Sequence, residues 1–142
     1  MDLQLDKQIC FSLYSASNAI TRMYRPLLAK LDLTYLQYMV MIVLWERNTL
    51  NVKELGEYLR LDSGTLTPLL KRLENKQLVA RKRSSIDERV RQISLTKSGA
   101  ALQQQAKSIP EALACSLGLP KSDALEIKRL CDKLLRASQQ TG

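Results

Sequence analysis

Leu61-Asp62-Ser63-Gly64-Thr65-Leu66-Thr67-Pro68-Leu69-Leu70-Lys71-Arg72-Leu73-Glu74 is the stretch on which the reading of this chain turns. Leu66, Leu69, Leu70 and Leu73 recur at i, i+3, i+4 and i+7, so they hold one face of a helix on a core. The opposite face carries Ser63, Thr65, Thr67, Lys71 and Arg72, hydroxyl donors and cations suited to phosphates and base edges. A helix is predicted over 63–76. Pro68 falls in its second turn, where it forfeits one backbone bond and crowds the carbonyl of Gly64, a residue with room to adjust. A shorter helix that starts at Pro68 is the alternative. Upstream, 52–59 is predicted as a helix with Asn51 as N-cap and with Leu55 and Leu59 turned inward. Downstream, Ala80-Arg81-Lys82-Arg83-Ser84-Ser85-Ile86-Asp87-Glu88-Arg89-Val90-Arg91-Gln92-Ile93 reads as a basic hairpin, with strands over 78–83 and 89–95. A helix-turn-helix followed by a basic wing is an arrangement that reads DNA.

Charge points the same way. The chain carries a formal net charge of +8 at pH 7. Between Lys71 and Lys97 nine basic residues stand against three acids, Glu74, Asp87 and Glu88, which places +6 of the +8 in under a fifth of the sequence. So concentrated a surplus is the footprint of a polyanion partner; a solvated basic face would account for the charge but not for the helical spacing beside it.

With 142 residues the chain has the size of one domain with one core. The first residues hold no apolar run, and the longest such run, 39–45, falls far short of the ~20 residues a membrane span needs. A cytoplasmic protein without membrane contact is expected. Histidine is absent, which removes Ser-His-Asp and Cys-His catalysis, and the three cysteines Cys10, Cys115 and Cys131 follow no metal-ligand spacing. No metal and no cofactor are called for. The cysteines are either apolar fillers or redox-active thiols.

Ile9, Leu13, Ala16, Ile20, Met23 and Leu27 form a heptad-like seam on a helix predicted over 6–29, with Pro26 near its end. Thr34 is the expected N-cap of a second helix over 35–47, apolar on nearly every side and therefore central to the core. After the wing, Thr96 caps a long helix predicted over 97–115, bent at Pro110; Gly118-Leu119-Pro120 breaks it, and a last helix over 121–138 carries Ala124, Ile127, Cys131 and Leu134 on one stripe. The predicted fold is mainly α with a small β-hairpin wing: a winged helix-turn-helix over about 34–95. The helices over about 6–30 and 97–138 have too few partners in so short a chain, so they are expected to form an intertwined dimer layer.

At this point the sequence resembles the MarR family of winged-helix transcriptional regulators, and within it the organic hydroperoxide resistance repressors. The resemblance rests on the stretch quoted first, on Asp87-Glu88-Arg89, on Leu95-Thr96-Lys97-Ser98-Gly99, and on Cys10 with Tyr14, Tyr24-Arg25-Pro26-Leu27-Leu28 and Leu33-Thr34-Tyr35-Leu36-Gln37-Tyr38. It implies that Arg89 enters the minor groove with its guanidinium oriented by Asp87; the charge of the hairpin makes Arg81, Lys82, Arg83 and Arg91 candidate DNA contacts beside them. The same two residues could instead form a plain surface ion pair, worth little to stability. The resemblance also makes Cys10 a peroxide-sensing thiol with Tyr24 and Tyr35 as hydrogen-bonding partners; Tyr14 is its neighbour one turn on. Hydroxyl donors and the amino end of a helix both favour a thiolate.

Geometry adds a condition. Tyr24 follows Cys10 by fourteen residues on one helix, ~21 Å at 1.5 Å per residue, so the two can meet only across a dimer. Three thiols suggest a sensor whose oxidised Cys10 is trapped as a disulfide, with Cys115 as the resolving residue and Cys131 as the alternative; both can instead be fillers. The expected partners are palindromic double-stranded operator DNA, a second copy of the chain, and an organic hydroperoxide as signal. A repressor released by a small phenolic ligand, with Cys10 incidental, is the competing reading. A thiol peroxidase is the third, and no thioredoxin-like pattern supports it.

Overall fold

The computed structural model describes residues 3–84, 86–87 and 89–141, the last without its side chain. The chain divides into two compact units, Met1–Ile109 and Pro110–Gly142.

In the first unit a short 3-10 turn, Leu5–Lys7, precedes α1 (Ile9–Ala29). The expected start at residue 6 moves to Ile9 because Gln8 is extended, which breaks the helical path. Pro26 lies within α1, and the helix continues three residues beyond it. After a turn in which Asp32 takes a left-handed φ of 54°, α2 (Tyr35–Arg47) begins. Its start is fixed by a reciprocal cap: Thr34 accepts from the Gln37 amide at 3.3 Å, and the Gln37 side chain accepts from the Thr34 amide at 3.1 Å. Val40, Met41 and Leu44 of α2 are wholly buried, the burial its all-round apolar sequence demanded.

A three-residue strand, β1 (Thr49–Asn51), then leads into α3 (Val52–Leu59), with Asn51 and Glu54 forming a second capping box. The sequence had read Asn51 only as a cap; β1 exists through its pairing with β3 and is too short to show alternation. α4 (Ser63–Asn75) starts before Pro68, so the longer of the two expected helices forms, with the Asp62 carboxylate capping the Thr65 amide at 2.7 Å. Leu66, Leu69, Leu70 and Leu73 are all buried in the core.

β2 (Val79–Arg83) and β3 (Arg91–Leu95) pair antiparallel, and the sheet order is β1-β3-β2 with Leu50 opposite Ile93 and Val79 opposite Leu95. The strands are shorter than predicted. Leu78 is spent on closing α4, its amide bonded to the Leu73 carbonyl at 3.1 Å. Arg89 and Val90 belong to the hairpin turn, where their amides bond Asp87.

The segment after the wing departs most from expectation. A single helix over 97–115 is replaced by α5 (Lys97–Ala101), α6 (Gln103–Ala106) and α7 (Ile109–Leu117). Leu102 and Lys107 keep right-handed helical angles, so the chain does not reverse at either residue. Pro110 supplies one reason: it has no amide to donate to the carbonyl four residues back, and its ring crowds that carbonyl. Gly99 in α5 supplies a packing constraint. A Cβ there would stand 2.0 Å from the Leu78 carbonyl oxygen, and the Gly99 carbonyl accepts the Trp45 indole N–H at 2.8 Å.

The second unit consists of most of α7, a break at Gly118 with φ 65°, and α8 (Lys121–Thr141), three residues longer than the 121–138 predicted. Along α8, Glu126 pairs with Arg129 and Lys128 with Asp132 on successive turns, while Ile127, Leu130 and Leu134 are exposed.

Candidate nucleic-acid interface and sensor thiols

Burial of the four leucines of α4 turns the remainder of the helix outward. Ser63, Thr65, Thr67, Lys71 and Arg72 are all exposed, as their spacing predicted. They do not form one set. Arg72 borders a cleft of about 750 Å³ together with Ser17, Thr21 and Arg25 of α1 and Tyr35 of α2, whereas Ser63 lines a smaller groove between α3 and α4 with Lys53 and Arg60. Lys53 and Arg60 are cations beside the recognition helix that the sequence reading passed over, because neither belongs to the dense basic run.

The wing divides its cations as a pleated ladder must. Side chains alternate between faces, and residues paired across the ladder share one. Arg81 and Arg83 therefore lie on the same face as Arg91 and Ile93, and Lys82 lies on the other with Gln92. Arg83 stands directly opposite Arg91. Like charges in that position repel, and a polyanion laid against them relieves the repulsion. Arg81 is differently placed: its Nε donates to the Glu74 carboxylate at 2.9 Å, and that bond holds the Glu74 carboxyl below the usual carboxylate range. This pair ties the first wing strand to α4. At the wing tip the Asp87 carboxylate accepts the Arg89 amide at 3.0 Å and lies 3.5 Å from the Arg89 Nε, while the Arg89 side chain is 93 % exposed. The guanidinium is thus steered at its root and open at its head. Ser85 and Glu88, part of the same motif, lie outside the described residues.

Cys10 occupies the second position of α1 and is exposed. Around it Ile9, Phe11 and Tyr14 are exposed as well, Ile9 to 72 %. Tyr24 and Tyr35 do come together, with ring centroids 4.8 Å apart, and Tyr38 joins them at 5.7 Å from Tyr24. Tyr38 is a member the sequence reading missed, although its i, i+3 spacing from Tyr35 on α2 was visible. Burial, with Tyr35 and then Tyr38 alongside, pushes the Tyr24 phenol up to about 12; burial and Tyr35 raise Tyr38 also. Tyr24 keeps its proton at neutral pH and stays a hydrogen-bond donor. Cys10 and Tyr24 sit toward opposite ends of the 21-residue α1, and the structure does not bring them together within one chain. Cys115 is exposed on α7, and Cys131 is half-buried on α8. Among the described residues no group of three or more His, Cys, Asp or Glu side chains is placed to hold a metal ion, and no helix is long and apolar enough to cross a membrane.

A family model described as transcriptional regulator SarA/Rot matches residues 22–106. The organic hydroperoxide resistance transcriptional regulator of Bacillus subtilis is 50 % identical over 128 residues, 90 % of this chain and 85 % of that protein. Among solved structures, reduced AbfR bound to DNA is 36 % identical, with a TM-score of 0.81 over 96 % of this chain and 93 % of the other. A disulfide-formed AbfR structure matches with a TM-score of 0.64 at 34 % identity over 96 % and 90 %; AbfR is a protein of Staphylococcus epidermidis. NadR in complex with 4-hydroxyphenylacetate is 26 % identical, with a TM-score of 0.75 over 95 % and 100 %. The quoted motifs, the three-stranded winged lobe and these likenesses agree: this chain belongs to the MarR family of winged-helix transcriptional regulators, in its organic hydroperoxide resistance branch.

Proposed function

We propose that this protein is a cytoplasmic homodimeric repressor that holds a palindromic operator while Cys10 is reduced and releases it when an organic hydroperoxide oxidises Cys10. The observation that carries the sensing half is the separation of Cys10 from the Tyr24–Tyr35 pair along a single helix, with the thiol end of that helix exposed and apolar. A second copy that covers this end would seal the apolar residues and bring phenol donors to the sulfur at once. In this reading α1 and the helices after residue 97 form the dimer layer, and residues 34–95 the lobe that reads DNA. Ser63, Thr65, Thr67 and Lys71 on α4 and Lys82, Arg83, Asp87, Arg89 and Arg91 in the wing are the contacts, with Arg72 and Arg81 in supporting positions.

The chemistry balances. The Cys10 sulfur attacks the distal peroxide oxygen, the O–O bond breaks, and the alkoxide leaves as the alcohol after taking a proton; sulfur is oxidised to the sulfenic acid. A second thiol then attacks that sulfur, an S–S bond forms, and water departs. Cys115 of a second chain is the proposed attacking thiol, with Cys131 as the alternative. The AbfR structures, solved as a reduced protein on DNA and in a disulfide form, support a cycle of this kind. The family's regulators provide no enzymatic precedent, and the turnover of a peroxidase is not proposed.

The test is an operator recovered by the protein from a random duplex pool, titrated with cumene hydroperoxide. Wild type should release it, dithiothreitol should restore binding where a disulfide forms, and Cys10→Ser should bind but not release. A second reading rests on the cleft of about 750 Å³ bordered by Arg25, Arg72 and Tyr35, and on NadR in complex with 4-hydroxyphenylacetate. There a phenolic acid is the signal and Cys10 is incidental. Normal peroxide release by Cys10→Ser would refute the thiol mechanism, and release by the phenolic acid alone would establish the ligand reading.

A further inference from the structure

Lys76 counts as one of the nine cations of the basic run, yet it is turned away from the wing. It ends α4, and its Nζ donates to the main-chain carbonyl of Asp32 in the turn between α1 and α2, and to the side-chain oxygen of Gln37 at 3.0 Å. The Asp32 carboxylate is a lesser partner, 3.7 Å away and largely exposed. Gln37 is a buried side chain, and the oxygen that accepts from Lys76 is the one that caps the Thr34 amide. Tyr35, its ring packed at a tilt against Tyr24, is the first residue of the same helical turn. One polar cluster therefore joins the first turn of α2 to the carboxyl end of the recognition helix, and Tyr35 reaches that cluster through the backbone of the turn it shares with Gln37.

We propose that Lys76 is a positioning residue that clamps the carboxyl end of α4 to the α1–α2 corner through Asp32 and Gln37, and passes displacement of the Tyr24–Tyr35 pair to the DNA-reading helix. The proposal deepens the redox reading above and rests on it for its signal, though not for the clamp itself. The physical argument is directional. Two acceptors on different elements fix the ammonium, and bonds to a charged donor in a half-buried setting outlast those of a solvated lysine. The alternative role, a phosphate contact, would require the same ammonium to face DNA.

The experiment compares wild type, Lys76→Met, Lys76→Arg and, as a surface control, Lys71→Gln. Lys76→Met should bind the selected operator about tenfold more weakly, the loss of one charge-assisted contact, with an unchanged dependence of log affinity on log salt. Lys71→Gln, if it removes a phosphate contact, should lower that slope by about one unit. Cumene hydroperoxide should oxidise Cys10 of Lys76→Met at the wild-type rate by mass spectrometry, while the ratio of reduced to oxidised operator affinity shrinks by about threefold or more. Lys76→Arg, which can still donate to both oxygens, should recover most of both. Hydrogen exchange at the Lys76, Gln77 and Leu78 amides, which close the helix, should quicken in Lys76→Met with no DNA present. Should the wild type recover no operator, the proposed function falls while the exchange measurement still decides the clamp. Unchanged exchange, an unchanged affinity ratio, or a salt slope reduced by one in Lys76→Met would each overturn the proposal.

Discussion

The recognition helix α4 and the terminal helix α8 are both amphipathic, and both space their apolar residues at helical intervals, yet the fold treats them differently. Leu70 and Leu73 of α4 are 1 % and 0 % exposed; Ile127 and Leu134 of α8 are 51 % and 52 % exposed. The reason lies in their neighbours. α4 is enclosed by α2, α3 and β2 and is capped at its start by Asp62 and at its end by Lys76, so its leucines complete a closed core. α8 makes its polar face secure with its own i, i+3 and i, i+4 ion pairs and leaves the apolar stripe open. Periodicity states that a face needs burial. It does not state against what, and here one face is satisfied inside the chain while the other stays exposed on it.

Four measurements test that contrast. Leu73→Ala should cost about 2–5 kcal/mol of unfolding free energy, since it deletes a side chain from a closed core; a cost under about 1 kcal/mol in urea titration would mean the core is looser than its burial indicates. Leu130→Glu on α8 should leave the unfolding of the 34–95 lobe unchanged and convert a dimer to monomer in sedimentation, and a dimer that persists would remove α8 from the interface.

Arg89→Ala should weaken operator binding by about 1–3 kcal/mol without altering the thermal midpoint, because an open guanidinium at a wing tip contributes to DNA and not to folding. Equal loss of both would place Arg89 in the fold instead. The smallest effect belongs to Tyr24, whose phenol is raised from 10.0 to about 12. Between those values the unfolded chain has lost a proton that the folded chain keeps. The stability that goes with it is whole below pH 10 and falls as pH rises toward 12. Tyr24→Phe should lose less stability than wild type between pH 9 and about 11.5 in urea titrations run across that window; parallel losses would show that the phenol is solvated.

The legible parts of the sequence were those in which adjacent residues settle the structure among themselves. The caps Thr34 and Asn51 marked the starts of α2 and α3, and the leucine spacing marked the buried face of α4. The exposed positions of the candidate DNA contacts followed from that same spacing. Less legible were features that depend on a distant partner. β1 needs β3, the shortened wing strands depend on a turn built around Asp87, and the broken helix after the wing packs Gly99 against the Leu78 backbone.

Legible in the sequence alone were the capped starts of α2, α3 and α5, the apolar faces of the helices, the place where positive charge gathers, and the family the chain resembles, because each is written in residues within a turn or two of one another or in the composition of one segment. Tertiary structure alone decided which cations are free and which are engaged. Arg81 and Lys76 look in sequence like their neighbours Lys82 and Lys71, but a carboxylate seven residues earlier holds the one, and a carbonyl and an amide from another corner of the fold hold the other. A charge acts on whatever lies within a few ångströms of it, and only the folded chain determines what that is.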